Sequence, residues 1–186
     1  MFRFEIEAGL ALKPLELKDG NKLYQLITES RQHLRTYLPF VDQTAKPEDT
    51  LEFVKATVIS NAEQKSFVTV VLVEEQIAGL VGFNQISWPN KKAEVGYWLA
   101  EPFIKRGITT KAVRAIINYA FKTLELNRIT IRAAFFNKAS QGVAKKLGFQ
   151  QEGVIREAEW VNDQFVDHVV YGMLKRDWVP EPRSQD

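Results

Sequence analysis

The chain contains no cysteine, which excludes disulfides, thiolate nucleophiles and thiolate metal sites and is compatible with a reducing compartment. Its two histidines, His33 and His168, lie far apart and lack metal-ligand spacing, so packing or exposure is their expected role and no metal is expected. No run approaches the ~20 apolar residues that span a bilayer. The first residues, Met1 to Glu7, interleave charges with apolar side chains instead of forming a signal core. The expectation is a soluble, cytoplasmic protein with no membrane partner. Charge of one sign is also scarce: 25 basic and 23 acidic residues leave a net +2. That is too little for a bulk electrostatic grip on nucleic acid, so any partner is chosen locally.

What is present suits a compact enzyme-sized chain. A length of 186 residues at 45% hydrophobic content fits one domain, 1–186, with its core over 10–178. The segment 180–186, Pro-Glu-Pro-Arg-Ser-Gln-Asp, has too little apolar surface to order itself and reads as a flexible tail.

The patterning predicts a strand over 10–17 and a helix over 19–31 with Asp19 as cap. A short helix within 30–42 should end against Pro39, and a second helix should open at Pro47 and run to about Lys65. Phe67 to Val73 is β-branched and almost continuously apolar, as in a strand covered on both faces. Ile77–Trp88 and Ala93–Ala100 follow as strands, giving three antiparallel strands in a row, with Gly96 suited to a bulge or close backbone approach. From Thr109 to Leu124 apolar residues recur with helical period. Ile129–Phe136 is a strand. Asn137 can cap a short helix ending at Gly148, and Val154–Val161 with Gln164–Leu174 form a hairpin turning at Asn162-Asp163.

The segment Pro102-Phe103-Ile104-Lys105-Arg106-Gly107-Ile108-Thr109-Thr110-Lys111 runs from a strand through a basic, glycine-containing loop into the amphipathic helix. A helix start has unpaired N–H groups and roughly half a positive charge, so it suits a phosphate. Ordinary turn geometry and a solvated basic face account for the same residues.

In this order, antiparallel strands, the strand–basic loop–helix unit, Asn137-Lys138-Ala139-Ser140 and Leu147-Gly148-Phe149 resemble the GNAT superfamily of acyl-CoA N-acetyltransferases. Within it the chain is similar to the RimJ/RimL type, which acetylates ribosomal proteins. That likeness rests on His33 to Phe40, on Glu94-Val95-Gly96-Tyr97-Trp98-Leu99, and on Ala158-Glu159-Trp160-Val161-Asn162 followed by Tyr171. The resemblance implies an α+β sandwich, with a mixed, mostly antiparallel sheet flanked by helices and splayed at its centre. It implies acetyl-CoA as cosubstrate and an amine acceptor. Dimers are usual among relatives, so a homodimer or higher homo-oligomer is the corresponding expectation. The phosphate loop departs from the family pattern: Gly107 is retained, while Lys105 stands where relatives often have glycine, so the backbone there must accept a side chain or shift.

On this resemblance the pantetheine arm lies between strands 93–100 and 129–136. The thioester oxygen meets a backbone N–H of a bulged strand, here Val95, Gly96, Tyr97 or Trp98, and the pyrophosphate meets Lys105, Arg106, Gly107, Ile108, Thr109 and Thr110. Asn137 would bond the arm. Ser140 would protonate the departing thiolate, although capping explains both residues equally. Glu159 matches the acidic position of a general base, and pairing with Arg156 on a wet strand face is the competing account. Period-two alternation puts Glu157 and Glu159 on one face. Tyr37, Phe40 and Trp160 would wall the acceptor site. A protein α-amine near pKa 8 costs only about 1.4 kcal/mol to deprotonate at pH 7, against about 4.6 for lysine, so a single carboxylate suits an N-terminal acceptor. Glu157, Glu159 and Asp163 leave a polyamine or small-amine acceptor open, and the altered phosphate loop leaves open a non-catalytic CoA-binding module.

Overall fold

The computed structural model describes residues 3–180. The predicted tail beyond Pro180 lies outside the described residues. Eight strands form one mixed sheet in the order β1-β2-β3-β4-β5-β6-β8-β7. They span Phe4–Glu7 (β1), Leu10–Pro14 (β2), Phe67–Val73 (β3), Gln76–Ser87 (β4), Lys92–Leu99 (β5), Arg128–Ala134 (β6), Gln150–Val161 (β7) and Gln164–Leu174 (β8). Every pairing is antiparallel except β5 with β6. This is the α+β sandwich expected from the sequence. Among the described residues no helix is long and apolar enough to cross a membrane.

Among the described residues six α-helices flank the sheet: α1 (Gly20–Glu29), α2 (Arg31–Arg35), α3 (Phe40–Gln43), α4 (Pro47–Ala62), α5 (Ile108–Lys122) and α6 (Lys138–Lys146). Alternation along β3 divides the core. Val71 and Val73 join Ala112, Val113, Ile116, Ile117, Ala120 and Phe121 of α5 on one face. Val68, Val70 and Leu72 meet Leu23 of α1 and Val54 of α4 on the other. A strand buried on both sides has no polar alternation to display, which is why it reads as a continuous apolar run.

Four details differ from the sequence reading. Phe4–Glu7 forms a strand, β1, on the outer edge of the sheet, whereas its interleaved charges spoke only against a signal core. Asp19 does not cap α1 with its side chain. The carboxylate instead accepts the Glu16 N–H at 2.9 Å and pairs with Lys13, both Lys13 and Asp19 being buried. Pro39 does not end a helix but precedes α3 as its N-cap, since a fixed φ fits a helix start. The last hairpin begins at Gln150, four residues earlier than expected, because exposed β7 residues pair through the backbone with β8 and need no apolar signal. Asn162 and Asp163 both take positive φ at its turn, 49° and 61°, as the tight-turn reading requires.

Candidate active site

The parallel ladder of β5 and β6 stops after three residue pairs, Lys92 with Arg128, Ala93 with Ile129 and Glu94 with Thr130. Beyond it β5 stays bonded to β4 as far as Leu99 and β6 to β8 as far as Ala134. The two inner edges therefore part in the middle of the sheet, as the splayed-strand expectation demands. Backbone N–H and C=O groups need partners, and a slot between two strands offers them to an extended, amide-containing ligand.

Val95, Gly96, Tyr97 and Trp98 form the β5 edge of this opening. The register irregularity lies between Phe83 and Ile86, where Asn84 and Gln85 of β4 oppose Glu94 alone. The bulge thus belongs to β4 and not to β5. Gly96 pairs regularly with Gly82, so the expected bulge at Gly96 is replaced by one just before it on the neighbouring strand.

The loop from β5 leads to α5, whose N-cap is Gly107 at φ 74° with no side-chain cap. That leaves the first-turn N–H groups of Ile108, Thr109 and Thr110 without a capping side chain, the arrangement that suits an anion. Positive φ, not crowding, requires this glycine, because a Cβ there would meet nothing within 4 Å. Lys105 also takes positive φ, 61°: the backbone accepts a side chain in the left-handed region. Lys105 and Arg106 are exposed, while Lys111 turns away to pair with Glu7 at 2.7 Å.

Across the opening, the Tyr97 hydroxyl lies 2.9 Å from the Ser140 hydroxyl and 3.2 Å from the Ser140 carbonyl oxygen. Burial pushes the Tyr97 phenol up to about 12, against the lowering effect of its hydrogen bond to Ser140. It is therefore a neutral donor at any working pH. Asn137 caps α6, its Oδ1 accepting the Ser140 N–H at 3.0 Å. Sequence reasoning placed Tyr97 on the cofactor edge through its backbone and missed its hydroxyl, because nothing in strand character forecasts a contact 43 residues away.

Glu159 does not pair with Arg156 among the described residues. Its carboxylate lies 3.2 Å from Nε2 of His168, whose Nδ1 is buried without a partner. Alternation fails between them: Arg156, Glu157 and Ala158 oppose Asp167 alone, and Glu157 sits at φ 50° donating its N–H to Asp167 Oδ1. Glu157 and Glu159 are thus not related by simple strand period. His168, expected merely to pack or be exposed, faces the carboxylate across β7 and β8, and its register partner Ala134 ends the β6 edge. Tyr171 is buried and donates to Gln141 Oε1 at 3.4 Å.

The three acceptor-wall aromatics do not converge. Phe40 tilts against Trp98 with ring centroids 6.3 Å apart. Tyr37 stacks on Phe136 at 5.8 Å, and Trp160, half exposed, packs edge-on against Phe165 at the hairpin tip. Asn162 ties that tip to α2 by donating to the Arg35 carbonyl at 3.2 Å. Only Phe40 of the three lines a cavity of about 530 Å³ on the α1 and α4 side of β4 and β5. Its walls include Leu23, Ile27, Phe53 and Trp98, and its floor includes Gly82 and Gly96.

A family model described as an acetyltransferase (GNAT) domain matches residues 10–150. YdaF of Bacillus subtilis (strain 168), which bears a provisional name as a ribosomal N-acetyltransferase, is 34% identical over 97% of this chain and 100% of its own. The ribosomal-protein-serine acetyltransferase of Escherichia coli (strain K12) is 32% identical over 91% of this chain and 95% of its own. Among solved structures, the microcin C7 self-immunity acetyltransferase MccE in complex with acetyl-CoA and AMP superposes with a TM-score of 0.85 at 28% identity, covering 91% of this chain and 94% of that one. The divided sheet, the glycine-started helix beside it and these matches together make the chain a member of the GNAT acetyltransferase family.

Proposed function

We propose that the protein uses acetyl-CoA to acetylate the N-terminal α-amino group of a protein, with ribosomal proteins as the first substrates to test. The observation that carries this reading is the slot between β5 and β6, with α5 starting beside it at an uncapped glycine. An arm rich in amides fits the slot, and a diphosphate fits the helix start. The names of the two bacterial relatives support the ribosomal acceptor.

In this reading Val95 to Trp98 supply the backbone donor that steadies negative charge on the thioester oxygen, an effect worth about 3 kcal/mol in the barrier where it has been removed elsewhere. Lys105, Arg106 and the N–H groups of Gly107 to Thr110 hold the pyrophosphate, and Asn137 and Ser140 flank the arm. Tyr97, kept neutral by burial, donates a hydrogen bond to the Ser140 oxygen, and Ser140 passes its proton to the departing thiolate and regains one through water, matched by the second proton that the acceptor nitrogen releases as the amide forms. Glu159 takes a proton from the acceptor's ammonium, directly or through water, and so frees the neutral amine that attacks, with His168 as its neighbour. A carboxylate is a weak base, and an α-amine asks little of it.

The test is mass spectrometry of acetyl-CoA reactions with N-terminal peptides, spermidine and N-blocked peptides containing lysine. Modification of α-amino groups alone is expected. Spermidine product would transfer the assignment to a polyamine enzyme. Measurable CoA binding with no product would leave a binding module, and no calorimetric heat with millimolar acetyl-CoA would remove the cosubstrate itself.

A further inference from the structure

The cavity beside β5 has a polar group with nothing to bind. Thr50 of α4 lines it, is 3% exposed, and its hydroxyl has no hydrogen-bond partner among the described residues. An unpaired buried hydroxyl is costly and uncommon, so its presence at a cavity wall points to a partner brought by a ligand. The remaining surface is mostly apolar, from Leu23 and Ile27 of α1, Phe40 of α3 and Trp98 of β5, with the carboxylates of Asp49 and Glu52 also on the lining, the first of them engaged by the Ala45 and Lys46 N–H groups. Phe53 also faces it while 47% exposed, an aromatic surface that an occupant would cover. The floor at Gly82 and Gly96, direct register partners, carries no side chains. Gly96, Tyr97 and Trp98 belong both to the cavity and to the β5 edge assigned to the thioester, so a group held here is next to the reacting carbonyl.

We infer that this cavity receives the side chain of the acceptor's first residue and that the side chain is large and apolar, methionine or phenylalanine, in preference to alanine or serine. The inference rests on the α-amine reading above. A volume of about 530 Å³ lies within the roughly 300–1,000 Å³ of sites that enclose whole small ligands. A methyl or hydroxymethyl group, comparable to one or two waters of ~30 Å³ each, leaves most of it unfilled. Methionine is unbranched, adapts to irregular apolar space and carries a thioether that is a weak hydrogen-bond acceptor for the Thr50 hydroxyl.

Peptides identical except for a first residue of Met, Phe, Ala or Ser are assayed with acetyl-CoA, and their kcat/KM values compared. The Met and Phe peptides should exceed the Ala and Ser peptides by about tenfold or more, since even one methylene in an apolar pocket discriminates by roughly 10–200-fold. Thr50→Val should raise KM for the Met peptide severalfold while the melting temperature stays level or rises, because a buried unpaired hydroxyl has been removed. Phe53→Ala, at a half-exposed position, should flatten the Met-to-Ala ratio. Equal or better turnover of the small residues, or an unchanged KM in Thr50→Val, overturns the inference while leaving the α-amine reading standing. If no peptide is acetylated, the α-amine reading falls, and calorimetry with the same peptides then judges the cavity: absence of the size trend there overturns this inference as well.

Discussion

Lys105 allows backbone strain and phosphate-binding charge to be separated at one position. Its φ of 61° lies in the left-handed region, which costs an L-residue roughly 1–2 kcal/mol and a glycine nothing. Glycine gives back about 0.4–1 kcal/mol through the greater freedom of its unfolded chain. Lys105→Gly should therefore be more stable than Lys105→Ala by about 0.5–1 kcal/mol, the strain being retained in alanine and relieved in glycine. For a chain of 186 residues this corresponds to a melting temperature about 1–3 °C higher. Both variants lose the same cation, so both should bind acetyl-CoA severalfold more weakly, by the same factor, and the deficit should shrink as salt is raised. Differential scanning calorimetry on the three proteins, followed by titration with acetyl-CoA at two salt concentrations, provides both readings. Equal melting temperatures for Ala and Gly would refute the strain argument, and unaltered affinity in both would remove Lys105 from the phosphate site.

Three further expectations follow from the site and the core. Glu159→Gln should lower turnover at pH 7 and recover part of it at high pH, where the α-amine is already neutral; identical pH–rate profiles would dismiss Glu159 as base. Because burial holds the Tyr97 phenol at about 12 against about 10 unfolded, it is neutral in both states below pH 10. Stability is then lost as pH rises from 10 through 12, by up to roughly 2–3 kcal/mol. Tyr97→Phe should flatten that alkaline loss in urea unfolding and should lower kcat more than CoA affinity, so an unaltered alkaline slope would contradict the burial assignment. Asp19→Ala removes the buried partner of Lys13 in β2 and leaves that lysine the more exposed Glu16 carboxylate at 3.1 Å, so destabilisation of about 1–3 kcal/mol is expected; chemical denaturation showing no loss would mean that Glu16 alone satisfies the lysine.

The parts of the fold legible in the sequence are those whose signal is local. Apolar residues of α5 repeat with helical period and are buried where the period puts them. Asn137 and Gly148 bracket α6 through a cap and a positive φ of 78°, both written in residue type. The divided sheet follows only from family resemblance and is visible in the register, whereas the helix start at Gly107 is announced by the basic, glycine-containing loop before it. Side-chain meetings were not legible: Tyr97 with Ser140 joins segments 43 residues apart, and Glu159 with His168 depends on the register of the last hairpin. One bulge, such as that at Glu157, shifts every later partner.

The three rungs joining β5 to β6 also bear on mechanics. They leave the sheet as two leaves, five strands and three, hinged at one end and held at the other by the contact of Tyr97 with Ser140. A cosubstrate that bonds both inner margins would act as the missing rungs and stiffen the leaves into one lamina. Catalytic readiness and resistance to local opening would then rise together on loading, with amide exchange slowing first along β6 and β8.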